Sequence, residues 1–417
     1  MGRSSMSHTL IARNADLQRL RDEGYNIQIT DANFLVVKDV PYVKSDRTIG
    51  FGAFASNLDL AGDLTVRPQD HTAKFCGDYP CDAHGNPLLI LQHQTQEFPL
   101  GSGLKADHSF SRKPPCGYYE DYYEKMTTYI ALLAKEVTVI DPLITAKTHR
   151  IVEGDPDTSP HNYLDTASSR AEINEAAAKL AEEAVAIVGL GGTGSYVLDL
   201  VAKTVAKKIH LFDADDFLTH NAFRAPGAAS LDELRSRPTK VDYFAGIYSK
   251  MHRGIVPHPE KLTSENADKL QGMSFVFLCM ESGPEKRAIV EKLEALGTPF
   301  VDVGMGLYSK RNSIGGILRS VLSLRDNREE AQSRISFASD DAQNEYDRNI
   351  QVADLNALNA CLAVIAWKKA RGFYFDLGRE RFISYTIGNS LLSKDDIHAK
   401  TQPDTHGVCE KNSEGVG

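Results

Sequence analysis

The sequence is poor in cysteine, lacks long apolar runs and carries no excess of positive charge. Only six cysteines occur in 417 residues, which argues against a disulfide framework and favours a reducing compartment, so we expect a cytoplasmic protein. No apolar run approaches the roughly 18 residues of a membrane span, and we see no signal peptide. The formal net charge of −9 disfavours broad nucleic-acid binding. We therefore expect neither a nucleic acid nor a membrane as partner.

Two regions with different patterns follow one another along the chain. Residues 1–165 combine short strand-like segments and turns with one helix, predicted from about Tyr119 to Lys135. In residues 166–393 apolar runs alternate with helical patterns, which predicts an α/β fold, doubly wound around a mostly parallel sheet. We expect a smaller N-terminal α+β domain, this α/β domain and a flexible tail over residues 394–417.

Two helices of the second region are predicted from composition and periodicity. The segment "AEINEAAAKLAEEA", residues 171–184, contains good helix formers throughout. The segment "VADLNALNACLAVIAWKKARG", residues 352–372, predicts a long helix. Its apolar residues at helical spacing predict a buried stripe, formed by Leu355, Leu358, Leu362 and Ile365.

The stretch "AIVGLGGTG", residues 186–194, is an apolar run followed by a glycine-rich turn. It fits the dinucleotide motif G-x-G-x-x-G and has one additional glycine; the glycines are Gly189, Gly191, Gly192 and Gly194. Such a turn presents backbone N–H groups to phosphate, and the positive end of the following helix adds to the attraction. The motif alone fits NAD and ATP equally well.

Polar residues after the second predicted strand favour ATP. Asp213, in "DADDFLTHNAFR", stands where an acidic side chain binds ribose hydroxyls, and Asp215 follows it. Asn221, Arg224 and, further on, Lys240 offer amide, guanidinium and ammonium groups. These groups orient and neutralise a polyphosphate while its α-phosphate is attacked. An NAD(P)-dependent oxidoreductase has no need of them, and it remains the alternative.

In this order, these motifs resemble those of the ThiF/MoeB/ubiquitin-activating-enzyme adenylation superfamily, over about residues 168–390. The family pattern is G-x-G-G-x-G, D-x-D, N-x-x-R and K, followed by C-x-D, which appears here as "LCMES". The resemblance implies ATP and Mg²⁺ as cofactors, with Glu281 in place of the family's metal-binding aspartate. It also implies a homodimer in which an arginine before the glycine turn reaches the partner's ATP, and Arg170 occupies that place.

The implied reaction is adenylation of the C-terminal glycine carboxylate of a ubiquitin-like protein, in a bacterial conjugation pathway. Arg224, Lys240, Arg170 and Asn221 are the residues to which the resemblance assigns catalysis. The segment over residues 322–349 lacks the cysteine with which some relatives form a thioester. Transfer to a partner carrier protein is therefore implied, and residues 1–165 are expected to bind the carrier or the ubiquitin-like protein.

Two points stay open at this level. Cys116 and Cys409 are both candidates for a thioester-forming cysteine. A catalytically inactive adenylation fold used as a binding scaffold is a further alternative, and the departure at Glu281 is its main support.

Overall fold

The computed structural model describes residues 10–154, 156, 159–337 and 350–395. The chain divides into two compact units, of which unit 1 comprises residues 1–158 and 163–174, and unit 2 comprises residues 159–162 and 175–417. Within the described residues, no helix has both the length and the apolar character needed to cross a membrane. The tail predicted over residues 394–417 lies almost wholly outside the described residues, as does Cys409.

Unit 1 is built on a six-stranded antiparallel sheet of order β1-β2-β3-β6-β8-β7, with a separate two-stranded ribbon, β4-β5. Its strands are β1 Asn26–Ile29, β2 Phe34–Val43, β3 Ile49–Asn57, β4 Leu60–Ala61, β5 Leu64–Thr65, β6 Thr72–Cys76, β7 Gln92–Gly101 and β8 Leu104–Ser111. Its helices include α1 Ala15–Asp22, α2 Tyr122–Ile140 and α3 Thr166–Arg170. Helices α1 and α2 bury their apolar faces in one core with the sheet.

The predicted helix of unit 1 begins three residues later than expected. Asp121 is its N-cap, because the Asp121 side chain accepts a hydrogen bond from the backbone N–H of Glu124 at 2.7 Å. The helix continues to Ile140, five residues beyond the predicted end, and Tyr129 and Leu133 lie in the core on its buried face.

Unit 2 alternates strands and helices over most of its length. Its strands are β9 Val185–Val188, β10 Ile209–Phe212, β11 Ile255–His258, β12 Phe275–Leu278, β13 Phe300–Lys310, β14 Ser313–Ser323, β15 Phe382–Thr386 and β16 Leu391–Asp395. Its helices, after α4 Asn174–Ala178 at the boundary, are α5 Gly192–Val201, α6 Thr219–Ala222, α7 Leu231–Ser236, α8 Lys240–Tyr248, α9 Pro284–Leu296, α10 Arg328–Arg334 and α11 Ala353–Ala370. This alternation is typical of a doubly wound fold.

The eight strands of unit 2 form one sheet of order β11-β10-β9-β12-β13-β14-β15-β16. Strands β11, β10, β9, β12 and β13 run parallel, and β14 to β16 extend the sheet in antiparallel pairs. After β9 the chain builds β10 and β11 on one side, and then β12 and β13 on the other. A topological switch point therefore lies between β9 and β12, where α/β folds bind ligands at the carboxyl ends of the strands.

Helices cover both faces of this sheet. Side chains of α5, α8 and α11 share one core with the sheet, and those of α9 and α10 share the other. All four residues of β9 are buried, as the continuous apolar run in its sequence predicts. The predicted α/β fold, with a mostly parallel sheet and a strand-rich N-terminal region, is confirmed.

The helix predicted over residues 171–184 is mostly wrong. Helix α4 ends at Ala178, and the next backbone N–H groups, of Lys179, Leu180 and Ala181, bond three residues back instead of four. Leu180 is buried in the core of unit 2, directly before the chain enters β9. Packing of Leu180 against the sheet outweighs the helix propensity of the last residues.

The long helix α11 is present, but its predicted buried stripe is wrong. Leu355, Leu358 and Leu362 are only half-buried and Ile365 is exposed. The buried face carries Asn356, Asn359, Ala360, Ala363, Val364, Ala366 and Trp367. Small side chains on this face let α11 lie close to α5, and Trp367 fills the core near the other end of the helix. The buried face is therefore not the one that carries the leucines.

Candidate functional site

The glycine turn lies at the carboxyl end of β9, at the switch point of the sheet. Gly189 has φ +88°, and a Cβ there would lie 2.7 Å from the carbonyl oxygen of Cys279. A Cβ at Gly194 would overlap the carbonyl oxygen of Gly189, a backbone atom that cannot move aside. Both positions therefore require glycine, and they hold the turn against the end of β12.

The turn opens towards solvent at the beginning of α5. Gly191 is the N-cap of this helix, and no side chain caps the first N–H groups. No atom lies within 4 Å of the position that a Cβ on Gly191 would take. The backbone N–H groups of the first turn thus have no side-chain cap, and the helix dipole favours an anion there.

Asp213 ties the end of β10 to the glycine turn. Its Oδ2 accepts a hydrogen bond from the backbone N–H of Leu190 at 2.7 Å, and its Oδ1 accepts one from that of Asp215 at 2.9 Å. Only 9% of the Asp213 side chain is exposed. The carboxylate therefore shapes the turn itself. The predicted contact of Asp213 with ribose hydroxyls stays a prediction.

The Lys240 ammonium lies beside the same carboxylate. Its Nζ is 2.5 Å from Asp215 Oδ2 and 3.4 Å from Asp213 Oδ1, although only 7% of the side chain is exposed. Thr239 caps α8, which begins at Lys240, and the backbone N–H of Lys240 donates to the carbonyl of Asp215 at 2.8 Å. The fold thus fixes a buried positive charge next to the glycine turn, balanced by two carboxylates.

Asn221 and Arg224 follow Asp215 in the chain but have different environments. Asn221 is buried, and its Oδ1 accepts from the backbone N–H of Leu218 at 2.9 Å, which closes the turn leading into α6. Arg224 is half-buried, and its Nε has no hydrogen-bond partner. Burial lowers the pKa of Arg224, and the carboxylate of Glu281, after β12, partly offsets this. The Arg224 guanidinium therefore lies near Glu281, after the end of β12, and its Nε is free to donate a hydrogen bond to a ligand.

Of the remaining predicted site residues, Glu281 lies near Arg224, whereas Arg170 belongs to the other unit. Glu281 is exposed and interacts electrostatically with Arg224. A single carboxylate fits Mg²⁺, which proteins commonly hold through one or two carboxylates together with substrate phosphates, and binding of Mg²⁺ by Glu281 stays a prediction. Arg170 is exposed at the end of α3 and belongs to unit 1. In the described part of the chain, no three His, Cys, Asp or Glu side chains form a metal cluster on their own.

The cysteines differ sharply in their environments. Burial raises the pKa of Cys76 to about 11 and also raises the pKa values of Cys81 and Cys279. Cys361 is half-buried on α11. Cys116 is the exposed one among the described cysteines, and its thiol lies 3.0 Å from the carbonyl oxygen of Tyr118.

Two polar features near the site were missed from the sequence. A buried ion pair joins Lys286 of α9 to Asp302 of β13, and Arg319 lies 3.6 Å from the same carboxylate. On α11, Asn356 packs against Gly192, and Asn359 donates to the carbonyl of Gly304 at 3.2 Å. The available signal was a pair of asparagines three residues apart in a helix whose central residues are otherwise apolar.

Two family models match the chain. Residues 15–166 match a family described as "Domain of unknown function (DUF6791)". Residues 167–364 match the ThiF family. A search of curated proteins found no match. The ThiF match includes the glycine turn, the Asp213 turn and the start of α8.

Solved structures similar to this chain include three with low sequence identity. PaaA is 15% identical, with a TM-score of 0.41 over 56% of this chain and 80% of that one. E. coli MccB with ATP is 15% identical, with a TM-score of 0.39 over 53% of this chain and 65% of that one. E. coli tRNA N6-threonylcarbamoyladenosine dehydratase, TcdA, with ATP is 19% identical, with a TM-score of 0.37 over 49% of this chain and 92% of that one.

Proposed function

Residues 167–364 belong to the ThiF family, as the motifs predicted, and from this premise we propose that the chain is an ATP-dependent adenylating enzyme. Its substrate is the C-terminal glycine carboxylate of a ubiquitin-like protein, in a bacterial conjugation pathway. The product is an acyl-adenylate, and a carrier protein accepts the acyl group. The proposed domains are residues 1–165 for partner binding, 166–393 for adenylation and a tail over 394–417.

One observation carries this proposal: a buried ammonium group lies beside the glycine turn. Lys240 is 5% exposed, yet it is paired with Asp215, whose side chain is 73% exposed. A triphosphate lying over the turn can take the place of such a solvent-facing carboxylate as the partner of Lys240. An oxidoreductase that transfers hydride to NAD could use this charge only to bind the pyrophosphate, because its chemistry occurs at the nicotinamide, whereas adenylation also needs it while the phosphates react.

The side chains around the turn match the needs of nucleotidyl transfer. The N–H groups at the start of α5 hold phosphate oxygens, Asp213 shapes the turn and receives the ribose hydroxyls, and Asn221 fixes the segment that carries Arg224. Arg224 and Lys240 neutralise the charge that builds up on the phosphates. Glu281 holds the Mg²⁺ that accompanies ATP, and this ion supplies further charge neutralisation.

The reaction needs positioning more than covalent help from the protein. A carboxylate oxygen of the terminal glycine forms a bond to the α-phosphorus. The bond from that phosphorus to the bridging oxygen breaks, and its electron pair leaves with pyrophosphate. Holding the two reactants in line accounts for much of the acceleration expected of such a site.

The finer parts of the proposal concern partners. The enzyme acts as a homodimer in which Arg170 reaches the nucleotide of the second copy. Unit 1 binds the ubiquitin-like protein or the carrier, and Cys116 is the described cysteine best placed by its exposure to react with an acyl-adenylate. The protein works in the cytoplasm.

The proposal is tested by ATP–pyrophosphate exchange in the presence of candidate ubiquitin-like proteins ending in glycine. Wild type is expected to exchange label between pyrophosphate and ATP. The exchange rate of Arg224→Ala is expected to be at least about 100-fold lower, because removing a group that stabilises charge raises the activation free energy by ~2.7 kcal/mol or more. The matched control is Arg235→Ala, an exposed arginine paired with Asp232 outside this group. Equal rates in Arg224→Ala and wild type would remove the proposed role of Arg224.

A further inference from the structure

Asn356 is a buried polar residue whose side chain lies against the glycine turn. It is located in the first turns of α11 and is 0% exposed. Its amide occupies the space that a Cβ on Gly192 would need, so it lies directly against the first residue of α5. The side chain thus belongs to the wall of the turn that the proposed function assigns to phosphates.

One half of this amide is satisfied and the other is not. The hydroxyl of Thr193, the second residue of α5, donates to Asn356 Oδ1 at 2.9 Å. That bond fixes the orientation of the amide. Asn356 Nδ2 is buried and has no hydrogen-bond partner in the structure. The free donor therefore lies next to Gly192, at the end of a helix whose own first N–H groups have no side-chain cap.

An unsatisfied buried donor is costly, by about 1–3 kcal/mol. A buried polar atom without a hydrogen-bond partner is therefore uncommon in native proteins and needs a structural or functional reason. An apolar side chain would fill the space without this penalty, as Ala360 and Ala363 do further along the same face of α11. A ligand that brings a hydrogen-bond acceptor to Asn356 Nδ2 would remove this penalty.

We propose that Asn356 is a phosphate-binding residue: its Nδ2 donates to a phosphoryl oxygen of the nucleotide at the glycine turn. This rests on the proposed function, and it adds a contact from a distant part of the chain to the residues of the turn. Thr193 is the positioning residue, because its hydroxyl keeps the carbonyl side of the amide occupied and the donor side free. Since α11 carries the donor, nucleotide binding also fastens α11 to α5.

Asn359 provides a matched control one turn further along α11. It is as buried as Asn356, at 1% exposure, but the pattern of its amide is reversed: its Nδ2 already donates to the carbonyl of Gly304 at 3.2 Å, and its acceptor Oδ1 is the atom without a partner. Removing the Asn359 side chain breaks a bond that exists in the free protein. Removing the Asn356 side chain takes away a donor that has no partner there. The two variants are therefore expected to affect different quantities.

The test measures the affinity of the full chain for Mg²⁺ and a non-hydrolysable ATP analogue by titration calorimetry, with melting temperatures taken without ligand. Asn356→Ala and Asn356→Asp are expected to weaken binding about 10- to 100-fold, the effect of one hydrogen bond to a charged group. Asn356→Asp keeps the acceptor for Thr193 and places an anionic oxygen against phosphate, so it is the more severe variant. Asn359→Ala lowers the melting temperature and leaves the affinity unchanged.

Two further arms separate a phosphate contact from a structural effect. Adenosine has no phosphate, so its affinity is expected to be the same in wild type and Asn356→Ala. Thr193→Val removes the orienting hydroxyl and is expected to weaken analogue binding by a smaller factor, which keeps the proposal testable even if substitutions of Asn356 fail to fold. Analogue affinity within twofold of wild type in the folded variants overturns the proposal. Absence of nucleotide binding by wild type overturns the proposed function instead.

Discussion

Replacing Asp213 by asparagine tests how the glycine turn is held. The carboxylate accepts from the backbone N–H of Leu190 at 2.7 Å through one oxygen, and from that of Asp215 at 2.9 Å through the other. Asparagine has nearly the same shape but only one acceptor oxygen. Its NH₂ group would face one of these two N–H donors, so at least one of them loses its partner.

The size of the effect follows from these bonds. A backbone N–H left unsatisfied at a nearly buried site costs about 1–3 kcal/mol, and the Lys240 ammonium also loses part of its counter-charge. We therefore expect Asp213→Asn to lower the free energy of unfolding by about 2 kcal/mol. The same change frees the turn that is proposed to bind phosphates, so ATP affinity is expected to fall about 30-fold, at ~1.4 kcal/mol per tenfold.

The assay combines urea denaturation without ligand and titration with Mg·ATP. The control is Asp216→Asn, a change of the same kind at an exposed neighbour, which is expected to alter the free energy of unfolding by less than about 0.5 kcal/mol. Wild-type stability together with wild-type ATP affinity in Asp213→Asn would refute the view that this carboxylate holds the turn.

Two further predictions concern buried groups of unit 2. Lys286→Met leaves the fully buried carboxylate of Asp302 without its main partner, so the free energy of unfolding is expected to fall by about 3–5 kcal/mol in urea denaturation. The double variant with Asp302→Asn is expected to be more stable than Lys286→Met alone, and the reverse order would contradict the pairing. His252 bonds as a neutral ring to the carbonyl of Ala206 and the N–H of Gly254, and burial lowers its pKa from 6.5 to about 4. Since the unfolded chain then binds more protons than the folded one, stability is expected to fall as pH drops from about 6.5 to 4, and less steeply in His252→Gln; an unchanged slope would contradict this.

Much of unit 2 was predictable from the sequence because its signals are local. A continuous apolar run followed by glycines predicted β9 and the turn after it. The polar residues after β10 predicted that Asp213, Asn221, Arg224 and Lys240 contribute to one site. The hydrogen bond from the backbone N–H of Leu190 to Asp213 follows from strand order, because the adjacent parallel strands β9 and β10 end at one edge of the sheet. These features depend on the chain within a short distance of each motif.

The errors arose where packing between distant segments decides the outcome. Periodicity alone could not tell which face of α11 is buried, because the contact that selects it is with Gly192 in another helix. Asn356 therefore appeared as a polar interruption rather than as part of the site. Leu180 illustrates the same limit, since burial against the sheet ended a helix that the local composition favoured.

The central claim is that ATP is cleaved between its α- and β-phosphates at this site, and the direct measurement is identification of the products. The chain is incubated with Mg²⁺, ATP labelled at the α-phosphate and a candidate ubiquitin-like protein, with hydroxylamine to trap an activated acyl group. We expect AMP and pyrophosphate in equal amounts, together with a hydroxamate at the terminal glycine, and none of these when that glycine is deleted. Formation of ADP and phosphate instead, or tight binding of NAD with no binding of ATP, would contradict the account.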